Sequence, residues 1–583
     1  MINKKRVFGF SMLLIIIIMG LFLNSFYWPY EGVSIRKILV ALIVVLCLIV
    51  IPIASIRVQW LYMIIDSMIT QMKYCGQQLR KDKKRILQFV FEVCLMLVIS
   101  IVFAYCISRF LLHTAFNIRL FYVITTLGIL CLYLIQSWKD IAKKVEQIFV
   151  VFVLCLGIFC IGVTPDKTGV SWDDQIHYQR TLAISNFFNG IMYDADEKNI
   201  GEYVFQNRLG YDRESNEAYE QDMQILYETK ACKPYFFKEY GVWSVSYIPS
   251  AIGVVLGRGL GLSYMGVFNM GRLFNLLTYA ILIFFAIKRI KYGKVLIATI
   301  GLIPTSVFMA ASYSYDPWVT GFTILGFSYF FAELQEESLL ETKNLVIMVG
   351  ALALGCIPKA IYFPILLPLL FMPKRKFKDS KQRKCYYIAI ITVGLLLVSS
   401  FLLPMIIEGP GTGDARGGSE VNSTEQIAFI LQNPLRYAKI LFKFGLEYIG
   451  INNSAGMMQA YAYAGSGTFY GVISLLLIVL AFLDRGETEK NHYFIKTAGL
   501  LGCAVAMVLS ITALYISFTA VASDTVAGMQ GRYMIPTIYP ALYCLGVGGT
   551  KHTINKNVFT SVPMLVVAFT MIYNLTVLCV IPY

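Results

Sequence analysis

The chain has 583 residues, of which 57% are hydrophobic and 15% charged, with a formal net charge of +15. Mean hydropathy is +0.65, and soluble globular domains carry about 25% charged residues, so a string of water-soluble domains is excluded. The Lys/Arg surplus falls in short clusters between apolar runs, the pattern that orients membrane helices, and no nucleic-acid partner is expected.

A membrane crossing needs about 20 apolar residues. Lys4, Lys5 and Arg6 precede a first run at 7–27, which is long for a signal-peptide core and leads into Trp28 and Pro29 with no small-residue cleavage site. It reads as a span with a cytoplasmic N-terminus. Further runs lie near 38–56, 86–107, 120–137 and 148–163, separated by basic loops that contain Lys73, Arg80, Lys81, Lys83, Lys84 and Arg85, and then Lys139, Lys143 and Lys144. Those loops are expected inside.

The polar segment 164–242 holds 14 acidic and 8 basic residues, net −6, and parity places it outside. Runs follow near 266–288, 294–312 and 318–334. The apolar stretch 345–372 is interrupted by Pro358 and Lys359, which predicts a two-helix hairpin with its tip outside, ahead of a strongly basic loop from Lys374 to Lys384. Runs near 386–407, 468–484, 494–518, 534–549 and 558–581 bring the total to about fifteen crossings. The apolar segment 243–256 must dip into the membrane and return, or lie on its outer surface, because a full span there would invert the basic loop from Lys288 to Lys294. The expected fold is an all-α polytopic membrane bundle of about 13–15 helices, divided into 1–163, an outer loop region 164–265, a central helical block 266–407, a second outer loop 408–467 and a C-terminal block 468–583.

Most of the 13 cysteines lie in or beside apolar runs and read as small apolar residues; Cys75 is in a basic loop and Cys232 in the long polar one, so no disulfide framework is expected. His113, His492 and His552 are isolated, and no zinc-type ligand spacing occurs. Glu92 is the clearest acid within a run, near its cytoplasmic end and with no evident partner.

Unusual polar motifs gather at the expected outer boundary: Trp172-Asp173-Asp174-Gln175-Ile176-His177, Ser314-Tyr315-Asp316, Pro358-Lys359, Asp414-Ala415-Arg416 and Gln530-Gly531-Arg532-Tyr533. Singly, each fits a solvated loop end, where a boundary charge is cheap. Asp173 and Asp174 stand out because adjacent acids one turn before His177 would share a helix face, and two close carboxylates raise one pKa toward that of a useful proton acceptor. The outer loops are also rich in Tyr, Tyr203, Tyr211, Tyr240 and Tyr247 among them, which fits either an interfacial aromatic belt or sugar stacking.

These pieces, together with Tyr247-Ile248-Pro249, Leu256-Gly257-Arg258, Gly271-Arg272-Leu273-Phe274-Asn275 and Pro304, resemble in order and placement a bacterial membrane family known as domain of unknown function 2142, assigned by similarity to the GT-C superfamily of integral membrane glycosyltransferases. The resemblance covers about residues 150–545. It implies transfer of a sugar from a polyprenyl-phosphate-linked donor to a cell-envelope glycopolymer on the outer face of a bacterial plasma membrane, typically with inversion. The family pattern has a Pro shortly before an Asp-Glu pair; here the pair is Asp-Asp with Pro165 farther upstream, and either acid is a candidate base. The implied catalytic set is Asp173 or Asp174, with His177 beside them and Asp316 as a second acid for orientation or for a divalent cation such as magnesium or manganese. Arg272, Lys359, Arg416 and Arg532 are candidates for the lipid phosphate, and Tyr247, Asp414 and Gln530 complete the substrate-binding set. No other cofactor is implied, and membrane lipids are the remaining partners. Competing readings are a flippase or transporter of lipid-linked saccharides, which needs paired ionisable groups at the bilayer midplane, a polysaccharide polymerase or ligase using an oligosaccharide pyrophosphate donor, and a structural membrane scaffold.

Overall fold

The computed structural model describes residues 4–27, 35–58, 62, 65–66, 69–70, 73, 83–206, 213–235, 241–409, 411, 413–449, 456–486, 490–548 and 553–583. Trp28, Pro29, Cys75, Arg80, Lys81, Tyr211, Tyr240 and His552, noted above, lie outside them. The described chain is helical apart from one small antiparallel pair of strands, Ile191–Tyr193 with Cys232–Pro234. Backbone amides have no water to bond in hydrocarbon, so apolar runs close their hydrogen bonds internally as helices. Among the described residues, ten helical segments are long and apolar enough to cross a membrane, and this is a multi-pass membrane protein.

Every apolar run has a helical counterpart, but several are shorter than a span. The run 294–312 is two short helices, Lys294–Gly301 and Pro304–Ala310, because Pro304 cannot donate to the preceding turn. The final boundary motif leads into the 11-residue helix Ile535–Leu545, and the run at 468–484 into the 14-residue Tyr470–Leu483. Packing sorts the long segments into two classes. Ile35–Arg57 is only 17% buried inside the protein and Val90–Leu111 11%, whereas Tyr264–Arg289 and Lys556–Val580 are each 56% buried. The first pair turns its apolar surface outward to lipid; the second builds the core with Val145–Val163 and Asp316–Gln335. Glu92 does have partners: its carboxylate accepts from Gln88 Nε2 at 2.9 Å and Gln136 Nε2 at 2.5 Å. The described cysteines are free thiols.

The stretch interrupted at Pro358 and Lys359 is a hairpin. Its outgoing limb Thr342–Cys356 and returning limb Ile357–Phe371 meet at Lys359, whose φ of −137° and ψ of 73° leave the helical region. Leu340 N donates to Lys376 O at 2.7 Å, so both ends lie together. Charges clamp that basic end around buried Glu333: Arg289 bonds Glu333 at 2.7 Å and Glu336 at 2.6 Å, and Lys376 stands 3.3 Å from Glu333. The tip reaches the opposite end of the bundle, the loop end, where Lys359 Nζ lies 3.2 Å from Asp316.

The segment 243–256 forms a 3-10 turn, Val242–Tyr247, and the 12-residue helix Ile248–Gly259, too short for a span. Both of its ends remain at the loop end: the Tyr247 hydroxyl bonds His177, and the Gly259 carbonyl accepts from Asn24 at the end of the first helix. Its Gly253-x-x-x-Gly257 spacing permits close approach to Tyr264–Arg289, since a Cβ at position 253 would lie 2.2 Å from Met270 O. Gly253→Ala is therefore expected to destabilise the protein by about 1–3 kcal/mol through forced separation of two backbones. Thermal unfolding in detergent checks this, with Gly350→Ala, where the added methyl meets open space, as the variant that leaves the midpoint in place.

Candidate functional site

The helix Asp174–Ser185 starts from Asp173, whose φ of 55° is left-handed, a conformation that Asp tolerates better than most residues. Strain of this kind persists only where surrounding contacts hold it. Asp173 and Asp174 do not share a face. Asp174 is buried, and its carboxylate accepts from the backbone N–H groups of Gly169 at 2.7 Å, Val170 at 3.1 Å and Ser171 at 2.8 Å. Burial pushes its pKa up to about 6, against the opposing pull of those three bonds. Its acceptor capacity is spent on shaping the turn, so the expectation of an equivalent pair is corrected: the acid turned toward the other charged motifs is Asp173.

Asp173, 30% exposed, accepts from Arg416 Nη1 at 2.9 Å and from Arg532 Nη2 at 3.2 Å. Arg532 is 3% exposed on the turn Gly531–Met534 and spreads its fork over three partners. Beyond Asp173 it reaches Asp316 at 2.7 Å through Nη1 and Gln530 Oε1 at 2.5 Å through Nε. Glycine is required at 531 because a Cβ there would come within 2.4 Å of the Gly456 backbone. Asp316, first residue of Asp316–Gln335, receives Lys359 on its other oxygen. Arg416 in turn holds Asp414 at 2.6 Å, and this bond keeps the Asp414 carboxyl below its usual range against the effect of burial. Five separate segments thus meet in one chain of alternating charge: Asp414, Arg416, Asp173, Arg532, Asp316, Lys359.

Aromatic side chains wall this chain. Arg532 lies 4.9 Å from the Trp172 ring centroid and 5.3 Å from that of Tyr533, and Lys359 Nζ sits 3.9 Å above Tyr533. Tyr362 donates to the Tyr533 carbonyl at 2.6 Å. His177 Nδ1 is 2.9 Å from the Tyr247 hydroxyl, and its ring meets Tyr315 edge-on at 5.0 Å. Burial, assisted by the Arg532 cation, lowers the His177 pKa to about 3, so its imidazole is neutral near neutral pH. Trp172, Tyr315 and Tyr533 were not singled out as site residues, yet each immediately precedes or follows a charged member of the cluster. That adjacency was the signal available. Tyr362, one turn after Lys359, had no comparable mark.

Arg272 is not brought into the cluster. It is buried and pairs with Asp166 at 3.1 Å, donates to Ala311 O at 2.8 Å and bonds Thr164 and Asn269. Its guanidinium ties the start of the long loop to the core helix Tyr264–Arg289, a structural use that leaves no fork for a phosphate. Nor do the residues fit a divalent cation. Each Asp316 oxygen already faces a side-chain cation, both Asp173 oxygens face arginines, and no group of three or more His, Cys, Asp or Glu side chains suited to a metal occurs among the described residues.

A family model described as a predicted membrane protein, DUF2142, matches residues 154–540. The chain belongs to this family. The matched region contains every member of the DUF2142 chain's charge cluster, from Asp173 to Arg532. No curated protein and no solved structure matches it. The two adjacent acids give a direct test of the division of labour: Asp174→Ala strands three backbone donors, two of them buried, and is expected to cost about 3 kcal/mol, whereas Asp173→Asn, which keeps an acceptor oxygen for its arginines, is expected to cost under about 1 kcal/mol. Parallel thermal unfolding of the two purified variants checks the order.

Proposed function

We propose that this protein is a GT-C-type glycosyltransferase that moves a sugar from a polyprenyl-phosphate donor to a cell-envelope glycopolymer, with its loop end on the outer face of a bacterial plasma membrane. The observation that carries the reading is Asp173: a partly exposed carboxylate held between an exposed and a buried arginine. Transfer of a sugar from a lipid phosphate requires a base for the acceptor hydroxyl and cations for the departing phosphate, and it requires them side by side.

In this reading Arg416, 56% exposed, is the arginine that exchanges Asp173 for the incoming lipid phosphate, because an exposed pair is worth little and is easily replaced. Arg532 and Lys359 are held by Asp316 and offer a fixed positive wall, Arg532 as a fork and Lys359 as a point charge. Freed on one oxygen, Asp173 accepts the proton of the acceptor hydroxyl as that oxygen bonds to the anomeric carbon. The bond from that carbon to phosphate oxygen breaks, and the electron pair leaves with the lipid phosphate toward the cations. His177, neutral and bonded to Tyr247, holds the aromatic wall and carries no proton in the step.

The placement of the cluster supports this reading over a saccharide transporter. Its ion pairs stand at the loop end beside solvent, whereas a path through the membrane uses ionisable groups at depth. A polymerase or ligase would use the same acid and cations and differs in its donor, an oligosaccharide pyrophosphate.

Incubation of the purified protein with defined undecaprenyl-phosphate sugars and envelope acceptors tests the proposal. Asp173→Asn is expected to lower kcat by about 100-fold or more, the ordinary scale of a lost general base. Arg416→Ala is expected to raise the donor KM with a smaller effect on kcat, and full transfer by Asp173→Asn would refute the assigned base. Because burial lowers the His177 pKa to about 3, the pH–rate profile between pH 5 and 8 should show no limb that moves in His177→Gln. Orientation has its own test: a membrane-impermeant maleimide should label Cys232 on the loop-end strand in intact cells and spare Cys385 beside the basic cluster; the reverse pattern would place the loop inside.

A further inference from the structure

The helix Ile248–Gly259 runs away from the charge cluster. Tyr247, just before it, touches His177, while Arg258, near its far end, lines a separate cavity of about 550 Å³. Eleven residues at 1.5 Å each put the two about 16 Å apart. The helix Asp174–Ser185 makes the same journey, from Asp173 to Asn186, where Asn186 Oδ1 accepts from Arg258 Nη1 at 2.5 Å. Two rigid helices therefore join cavity and cluster.

The cavity wall is aromatic. Tyr193 and Tyr227 line it with ring centroids 5.9 Å apart, and Tyr27 completes the wall with Lys230 Nζ 5.5 Å over its ring. Asn24, Gln224 and Glu228 also line it, with Gln224 Nε2 donating to Glu228 Oε1 at 2.8 Å. Charge in the lining is balanced: Arg258 is paired with buried Asp196 at 3.0 Å, and Glu228 offsets Lys230. Such a surface suits a neutral, hydroxyl-rich ligand and gives a phosphate no net attraction. Two lining groups are open to an occupant: Glu228 and Lys230 are both exposed at the cavity rim. The volume falls within the roughly 300–1,000 Å³ of small-molecule sites.

We infer that this cavity is a saccharide-binding subsite, separate from the charge cluster, that holds a neutral oligosaccharide stretch of the acceptor while its end lies at Asp173. Its place in the reaction rests on the glycosyl-transfer reading; its binding does not. Aromatic faces carry the apolar faces of sugar rings, and Glu228, Lys230 and the Asn24 amide meet hydroxyls. A span of about 16 Å requires a chain longer than one sugar.

Calorimetric titration of the full-length protein in detergent with maltotetraose and chitotetraose tests the subsite, with glucose, N-acetylglucosamine and glycerol 3-phosphate as comparison ligands. At least one tetrasaccharide should bind tenfold or more tighter than its monosaccharide. Tyr227→Ala should weaken it at least tenfold and Glu228→Gln, at an exposed position, at least threefold, while Gly350→Ala, where the added methyl meets open space, leaves it unchanged. Failure of both tetrasaccharides to bind, binding undiminished in both cavity variants, or preference for glycerol 3-phosphate would overturn the proposal. Tetrasaccharide binding in a protein that transfers no sugar would sustain the subsite and remove the transferase reading. Transfer with acceptor KM unchanged in both cavity variants would do the opposite.

Discussion

Burial of the Arg532 guanidinium is the constraint on which the loop end depends. A cation removed from water at 3% exposure requires anionic or carbonyl partners in fixed positions. Arg532 finds them on a loop before one helix, at the start of another and on its own turn, through Asp173, Asp316 and Gln530. Satisfying one guanidinium thereby sets the separation of three segments. The hairpin tip then follows, because Asp316 has a second oxygen to satisfy and Lys359 is the group that reaches it.

The same logic operates at the basic end with a different result. Arg289, Glu333, Glu336 and Lys376 bring three helical segments together, but the clamp is made from neighbouring elements and its cations, Arg289 and Lys376, are only 15% and 3% exposed. The loop-end cluster differs because its charges grade from buried Arg532 to exposed Arg416. That gradient makes one end rigid and the other exchangeable, which is what a site receiving an anionic substrate requires. Arg258 with Asp196 repeats the buried pairing beside a cavity.

Much of the architecture was legible in the chain. Apolar length identified the membrane class, and Pro358-Lys359 inside an apolar stretch announced a hairpin, whose ends meet at one end of the bundle and whose tip lies at the other. Crossing number was harder to read, since Pro304 divides one run into two short helices and the run ending near 549 yields a helix of only 11 residues. The site was read as a set of motifs at one boundary, and most of that set converges. Arg272 and Asp174 do not join it, although they resemble Arg532 and Asp173 in type and neighbourhood. Their partners, Asp166 and the backbone of residues 169–171, are ordinary loop residues that carry no mark in a linear reading.

What the sequence by itself determined is whatever depends on transfer of a segment between water and lipid: helical class, the two charged ends and the candidate residues at one of them. Those are additive properties of neighbouring residues. Which acid faces the cluster, which arginine is a tie and which a bridge, and whether a cavity lies at the end of a helix were decided only by tertiary structure. Arg532 and Asp173 are 359 residues apart, and the desolvation and pairing that define their roles exist only once the intervening helices have packed.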